Sequence, residues 1–254
     1  MPELPEVETI RRQLREKIVG KKLDGPPAGE AGKKIVDVRR RAKILIIDFS
    51  DGSSLIFHLK LTGQLIFNGE SSKHTRHIFK FDDGSRLVFN DIRKFGWWKY
   101  VKSSKDIEKT FGPEALEVDL KTFKEVLKKS PNAKIKPLLM DQKVIAGIGN
   151  IYSDEILWQA GVHPLKEVQK LKENELKAIY RSMRDIFKKA IGLRGDSMSD
   201  FRDTAGRKGR YQEFHKAYQR TGEPCFRDRT TIKRFKLGGR SGHYCPTCQR
   251  LTNN

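Results

Sequence analysis

Near residue 115 the hydrophobic period of the chain changes from two to about 3.6, and this switch limits the fold more than any other feature. Before it, strand-like runs recur at 35–38, 44–49, 54–59, 64–67, 77–81, 86–89 and 97–101. Asp51-Gly52 and Asp83-Gly84 supply tight turns between them. Short strands at this spacing predict a β-sandwich or barrel. One helix is expected ahead of them, over 9–18, with Thr9 as cap and Ile10, Leu14 and Ile18 on one face. A turn-rich break over 24–34 separates that helix from the strands. Past the breaker Phe111-Gly112-Pro113-Glu114 the pattern is helical. Phe123, Val126 and Leu127 form one apolar stripe, and Ile179, Met183, Ile186 and Phe187 another. The expected fold class is therefore α+β and multidomain.

Charge narrows the choice of partner. Lys and Arg number 52 against 32 Asp and Glu, a formal net charge of +20. Residues 205–254 alone hold 12 basic and 3 acidic side chains, so the excess is concentrated late in the chain. Such a surplus points to a polyanion, with nucleic acid ahead of a membrane surface. No run approaches the ~18 apolar residues of a membrane span, and the start, with Glu3, Glu6 and Glu8, lacks a secretory signal. All three cysteines lie beyond residue 224, which argues against a disulfide framework. A soluble cytoplasmic protein is expected.

Three stretches carry chemistry. Removal of Met1, usual before a small residue, leaves Pro2 with a free secondary amine beside the Glu3 carboxylate. An α-amine titrates near ~8 and a lysine near ~10.4, so at neutral pH the former is the better nucleophile. Its adduct with a sugar aldehyde is a charged iminium, an electron sink for elimination. Taken alone, Pro2 and Pro5 would serve equally to stiffen an exposed start. The second stretch runs from Lys136-Pro137-Leu138-Leu139-Met140-Asp141 through Ala146-Gly147-Ile148-Gly149-Asn150 into Ile151-Tyr152-Ser153-Asp154-Glu155. Two helices joined by a Gly-rich turn, with Asn150 at a helix start, present amides and a side-chain donor to a phosphate. The third is Cys225-Phe226-Arg227-Asp228 with Cys245-Pro246-Thr247-Cys248. A zinc ribbon needs two knuckles and four ligands. The second knuckle is complete, and in the first a carboxylate stands in place of a thiol. The fourth ligand of a single structural zinc is then Asp228 or His243, unless the ribbon folds without metal.

The opening Pro2-Glu3-Leu4-Pro5-Glu6-Val7-Glu8-Thr9 resembles the start of the formamidopyrimidine-DNA glycosylases, and the later motifs follow in that family's order. The resemblance implies an N-terminal catalytic β-sandwich over 1–115. A helix–two-turn–helix domain with a lesion-capping loop at 195–212 would occupy 116–215, and a zinc-ribbon-like finger 216–254. It implies a monomer that acts on double-stranded DNA with oxidised bases or abasic sites, as glycosylase and then as β,δ-eliminating lyase. Pro2 falls on the nucleophile, Glu3 on the proton shuttle and Glu6 on a carboxylate that supports the amine. Lys43 falls on a lysine that assists elimination at the sugar-phosphate, and Arg240 on an arginine of the second elimination. An enzyme that everts one base leaves a hole in the stack. Leu61, in a position commonly methionine, falls on the filler, Phe95 on the wedge, and Arg93 on the donor to the orphaned cytosine. Lys136 and Asn150 fall on phosphate contacts. Lys73-His74-Thr75-Arg76-His77 has one residue more than the family segment, which leaves His74 and His77 as alternatives for a further one. Leu4 speaks against the sister endonuclease VIII enzymes, and the intact Pro2, Glu3 and Lys43 against a non-catalytic DNA-binding module.

Overall fold

The computed structural model describes residues 1–25 and 31–251, so residues 26–30 of the expected turn-rich break lie outside it. The described chain forms two compact units, Met1–Thr110 with Ala190–Gln212, and Phe111–Lys189 with the residues from Glu213 onward.

In the first unit α1 spans Leu4–Ile18 and begins five residues before the expected start. The reason is local. Glu3 and Glu6 form a reciprocal capping box, and Pro5 lies in the first turn, where its missing N–H costs nothing. Thr9 is not the cap; its hydroxyl donates to the Pro5 carbonyl at 2.8 Å. Strands β1 (Leu23–Asp24), β2 (Ile35–Arg41), β3 (Ile44–Phe49), β4 (Ser54–His58), β5 (Gly63–Phe67), β6 (Thr75–Phe81), β7 (Arg86–Asp91) and β8 (Trp97–Val101) follow. They make two four-stranded antiparallel sheets, ordered β1-β6-β7-β5 and β2-β3-β4-β8. Of the two expected architectures, the sandwich is the one found. Val7, Ile10, Leu14 and Ile18 of α1 join Leu45, Ile47, Leu55, Phe57, Phe79 and Phe89 of the sheets in one core. Four consecutive apolar residues at the start of β3, Ile44 to Ile47, are buried, as a strand covered on both faces requires.

Residues 190–212, grouped by sequence with the helical region, pack with the sandwich, and the packing has a visible cause. Gln13 of α1 donates to Asp203 and accepts from the Thr204 backbone at 2.9 Å. Phe201 enters the sandwich core, and the Phe67 N–H donates to the Thr204 carbonyl. Beyond the end of α6 the segment is irregular but held by these contacts, where its composition would equally allow a loose linker.

The second unit holds α2's successors; α2 itself is the single turn Lys105–Glu108 that closes the first. They are α3 (Leu120–Lys128), α4 (Ile135–Met140), α5 (Asn150–Ala160) and α6 (Glu173–Gly192), the last turn of α6 passing into the first unit. Phe123 meets Tyr180 and Tyr152 meets Phe187 edge-on or tilted, at 5.6 and 5.4 Å between ring centroids, and Phe123, Leu127, Ile179, Met183, Ile186 and Phe187 of the predicted stripes are buried. The hairpin β9 (Lys233–Leu237) and β10 (Arg240–Tyr244) completes this unit. Among the described residues no helix is long and apolar enough to cross a membrane.

Candidate nucleic-acid and catalytic site

The predicted site residues gather into two groups, one in each unit. In the first, Pro2 and Glu3 are buried at the head of α1. Glu6, expected to support the amine, accepts on its carboxylate from backbone N–H groups: Glu3 at 2.7 Å and Asp196 at 2.8 Å. It thereby joins the start of α1 to the loop expected to cap a lesion. Gly195 permits this approach. Its φ is +81° and a Cβ there would lie 2.7 Å from the Glu6 carboxylate, so no other residue fits. Lys43 is buried in the two-residue turn between β2 and β3. His58, paired with Ile44 across the sheet, accepts from the Lys60 N–H through Nδ1 at 3.0 Å. Burial first, then the charges of Lys60 and Lys43, push its pKa down to about 4, so it is a neutral acceptor at physiological pH.

Three loops of the first unit converge on one carboxylate that the sequence reading missed. Asp91, 1% exposed, receives the Thr62 hydroxyl on Oδ1 and the Gly96 N–H on Oδ2 at 2.6 Å. Its own N–H donates to the His74 carbonyl at 2.9 Å. Thr62 also accepts from the Arg93 N–H at 3.0 Å. The loop carrying Leu61, the loop carrying Arg93 and Phe95, and the His74 segment are therefore tied together through Asp91. Gly96 has no room for a Cβ, which would fall 2.9 Å from Asp91 Oδ2 and 3.0 Å from the Phe89 ring. Phe95 stands 54% exposed, with the Arg93 guanidinium 5.0 Å over its ring, while Leu61 is half-buried. An exposed aromatic stacked under an exposed cation suits a base-sized hole better than a protein core. His77 lies on β6 among aromatic rings, 4.3 Å from Phe79 and 4.5 Å from Trp98, so of the two histidines His74 is the one outside the sheet packing. An aspartate closing a β-strand two residues before an arginine was the one sequence signal that could have found Asp91.

The second unit gives a correction. Lys136 does not present its ammonium to a phosphate: it is 3% exposed and lies 2.7 Å from Asp154 and 2.8 Å from the Ser153 hydroxyl. Asp154 in turn accepts from the His243 backbone at 3.0 Å and pairs with His243 Nδ1 at 2.8 Å. This buried Lys136–Asp154–His243 chain ties α4 and α5 to β10. Glu155 repeats the device beside it. Its carboxylate accepts the N–H groups of Lys216, Ala217 and Tyr218 at 2.8, 2.9 and 2.8 Å, and burial raises its pKa. Asn150 opens α5, and its Oδ1 has no hydrogen-bond partner among the described residues. It lines a polar cleft of about 480 Å³ with Tyr218, Gln219, Arg234, Ser241 and His243. Arg240 follows the Gly238-Gly239 turn at the exposed tip of the hairpin.

Cys225, Asp228, Cys245 and Cys248 place one ligand atom each within 4.8 Å of one another, in a set that suits one structural zinc. Cys225 and Cys248 sulfurs are 3.8 Å apart, close to the edge of about 3.8 Å that a tetrahedron of zinc–sulfur bonds near 2.3 Å demands. Asp228 Oδ2 is 2.9 Å from Cys248 Sγ, and both its oxygens are 3.5 Å from Cys245 Sγ. Asp228 is thus the residue that stands beside the three thiols as a candidate fourth ligand. Burial pushes the Cys225 thiol up, but backbone N–H groups of Arg227 and Asp228 and the Trp158 indole outweigh it, and the net shift is downward, toward thiolate. The knuckles also rest on α5: Trp158 Nε1 donates to Cys225 Sγ, and Arg227 donates to the Trp158 and Gln159 carbonyls.

These features define a protein of the helix–two-turn–helix type with a catalytic-style amino terminus on a β-sandwich and a carboxy-terminal zinc ribbon. Three family descriptions match in chain order: Formamidopyrimidine-DNA glycosylase N-terminal domain over 1–98, Formamidopyrimidine-DNA glycosylase H2TH domain over 111–202, and Zinc finger found in FPG and IleRS over 222–251. The formamidopyrimidine-DNA glycosylase of Pelotomaculum thermopropionicum is 42% identical, covering 99% of this chain and all of the relative. That of Herpetosiphon aurantiacus is 39% identical, over 98% of this chain and all of the relative. Among solved structures, Lactococcus lactis Fpg in complex with an abasic site containing DNA superimposes with a TM-score of 0.88 at 36% identity, over 98% of this chain and all of that one. MutM in complex with carbocyclic 8-oxo-G containing DNA gives 0.87 at 37%, again over 98% and 100%. The chain belongs to the formamidopyrimidine-DNA glycosylase family.

Proposed function

We propose that this protein excises oxidised purines, 8-oxoguanine and formamidopyrimidines, from duplex DNA in the cytoplasm, and then cuts the strand by β- and δ-elimination. The observation that carries the reading is the buried Pro2–Glu3 start, fixed at the head of α1 by the Glu3–Glu6 capping box. A nucleophile held to one geometry by a helix start loses little freedom on reaction.

In this reading the Pro2 amine, free once Met1 is removed, attacks C1′ of the lesion nucleotide and displaces the base. Glu3 moves the proton at the sugar. Opening of the sugar ring at C1′–O4′, with the proton going to O4′, leaves an iminium; this acidifies C2′, whose proton is lost as the 3′ phosphate departs, and Lys43 assists there. Arg240 assists the second elimination. Glu6 contributes by position, holding Glu3 and the 195–196 backbone together. Leu61, Phe95 and Arg93 fill and read the hole left by the everted nucleotide, while His74 and Asn150 hold phosphates. Lys136 serves the phosphate site indirectly, since its ammonium also reaches the Asn150 carbonyl at 3.4 Å. A zinc ion held by Cys225, Asp228, Cys245 and Cys248 would stiffen the ribbon that presents Arg240. The division of labour is catalysis in 1–115, grip and capping in 116–215, and the finger in 216–254.

The test is borohydride trapping on 8-oxoguanine duplexes. The wild-type protein should become covalently linked through Pro2, and Pro2→Gly should abolish most of the linkage. Equal trapping of Pro2→Gly through a lysine would remove Pro2 from the mechanism.

A further inference from the structure

The turn that carries Lys43 is not one its own sequence specifies. Arg41 pairs with Ile44 across β2 and β3, which leaves Ala42 and Lys43 as a two-residue hairpin turn. Such turns favour Asn or Gly where φ is positive. Here Ala42 occupies that position with φ +53°, a left-handed conformation that is strained for a residue with a Cβ. Something outside the turn must therefore hold it.

Arg40 does. Its side chain is 4% exposed, its Nη1 donates to the Ala42 carbonyl at 3.0 Å, and its Nε donates to Glu8 of α1 at 3.2 Å. Glu8 is itself immobilised by Arg11, at 2.7 and 3.0 Å, and by Arg12 at 2.8 Å. Burial works against its charge, but these guanidinium groups together with Arg40 keep its pKa below the ordinary value, so it is an anion. Pairs three or four apart on an exposed helix face need no further purpose. An almost inaccessible guanidinium that spans from α1 to the carbonyl next to Lys43 does.

We propose that Arg40 is a positioning residue: through Glu8 and the Ala42 carbonyl it sets the Lys43 turn against α1, the helix whose first residues are Pro2 and Glu3. The proposal rests on the reading of Lys43 as an elimination residue. Elsewhere α1 meets β2 through the more exposed Arg15–Asp37 pair at 3.0 Å, and it packs on the sheets through apolar, non-directional side chains. The two-pronged guanidinium adds the direction, because a planar fork fixes both acceptors at once. Lysine, with a single ammonium, can keep the Glu8 pairing but not both bonds in the same geometry.

Single-turnover elimination on a duplex with a preformed abasic site tests this on the full-length protein. Arg40→Lys preserves the buried charge and should fold. Its elimination rate should fall about tenfold or more, as misplacement of a reacting group by a fraction of an ångström to an ångström does, while the half-saturating DNA concentration stays unchanged. Because Arg40 acts through Lys43, Arg40→Lys combined with Lys43→Met should be no slower than Lys43→Met alone. Multiplying losses in the double variant, or wild-type rates in Arg40→Lys with Lys43→Met impaired, would overturn the positioning role alone. Wild-type elimination by Lys43→Met would sink the Lys43 assignment and the positioning role with it.

Discussion

Asp154→Ala should damage this protein more than any substitution at a surface charge. The carboxylate is 0% exposed and its Lys136 partner 3%, at 2.7 Å, so removing it strands an ammonium away from water. Breaking one side of such a pair costs about 3–5 kcal/mol. Two further hydrogen bonds, from the His243 N–H and with its ring, disappear with it, at about 1 kcal/mol each net. Partial rehydration of the site offsets some of this, and about 4 kcal/mol is expected. The chain has three tryptophans, and only Trp158 lies in the helical unit, donating to Cys225 of the knuckle. In a Trp97→Phe/Trp98→Phe background, Trp158 fluorescence during urea unfolding therefore reports the docking of the ribbon on α5. Asp154→Ala should shift that transition to markedly lower urea, and Lys136→Met/Asp154→Leu should recover much of the loss, because two apolar partners leave no buried charge. A shift worth less than 1 kcal/mol, or a double variant as impaired as the sum of its parts, would refute the buried-pair argument.

Other outcomes follow from the same geometry. Protein purified without chelator should contain one zinc by elemental analysis; Asp228→Cys should retain it longer against a chelator, because a soft thiolate replaces a carboxylate. Zinc-free protein with a folded ribbon and full activity would contradict that. His58 has a folded pKa of about 4 against about 6.5 unfolded, so the unfolded chain binds the extra proton between these values. Its contribution is fully present above pH 6.5 and is lost as pH falls toward 4, about 3 kcal/mol in all; His58→Gln should flatten the melting temperature over that window, and an unchanged slope would exclude it. Arg93→Ala should reduce discrimination between cytosine and adenine opposite 8-oxoguanine by about 1–3 kcal/mol, measured as a ratio of excision rates. Thr62→Val should weaken the same discrimination while leaving Arg93 in place, since it loosens the tie through Asp91.

Local rules and spacing were enough to determine the element types, the sandwich-then-helix order, the Gly-rich turn and the two knuckles. These depend on neighbours in the chain: periodicity, turn residues and ligand spacing are properties of short windows. Even the missed start of α1 was local, since Glu3, Pro5 and Glu6 spell a capping box that the emphasis on Thr9 passed over. What only the tertiary structure decided is which buried charges face each other. Lys136 reads as a free phosphate contact until Asp154 is seen against it, and His243 reads as an equal candidate to Asp228 until Asp228 is seen beside the three thiols. Asp91, Glu155 and Arg40 are ordinary polar residues in sequence and become junctions because several loops turn their N–H groups or carbonyls onto them. The packing of residues 195–212 on the sandwich is not legible in sequence because their apolar anchor is a lone Phe201, and their polar partners, Glu6 and Gln13, lie about 190 positions away. A window of sequence carries no term for such pairings; only the packing of α1 against the sheets brings them within hydrogen-bonding distance.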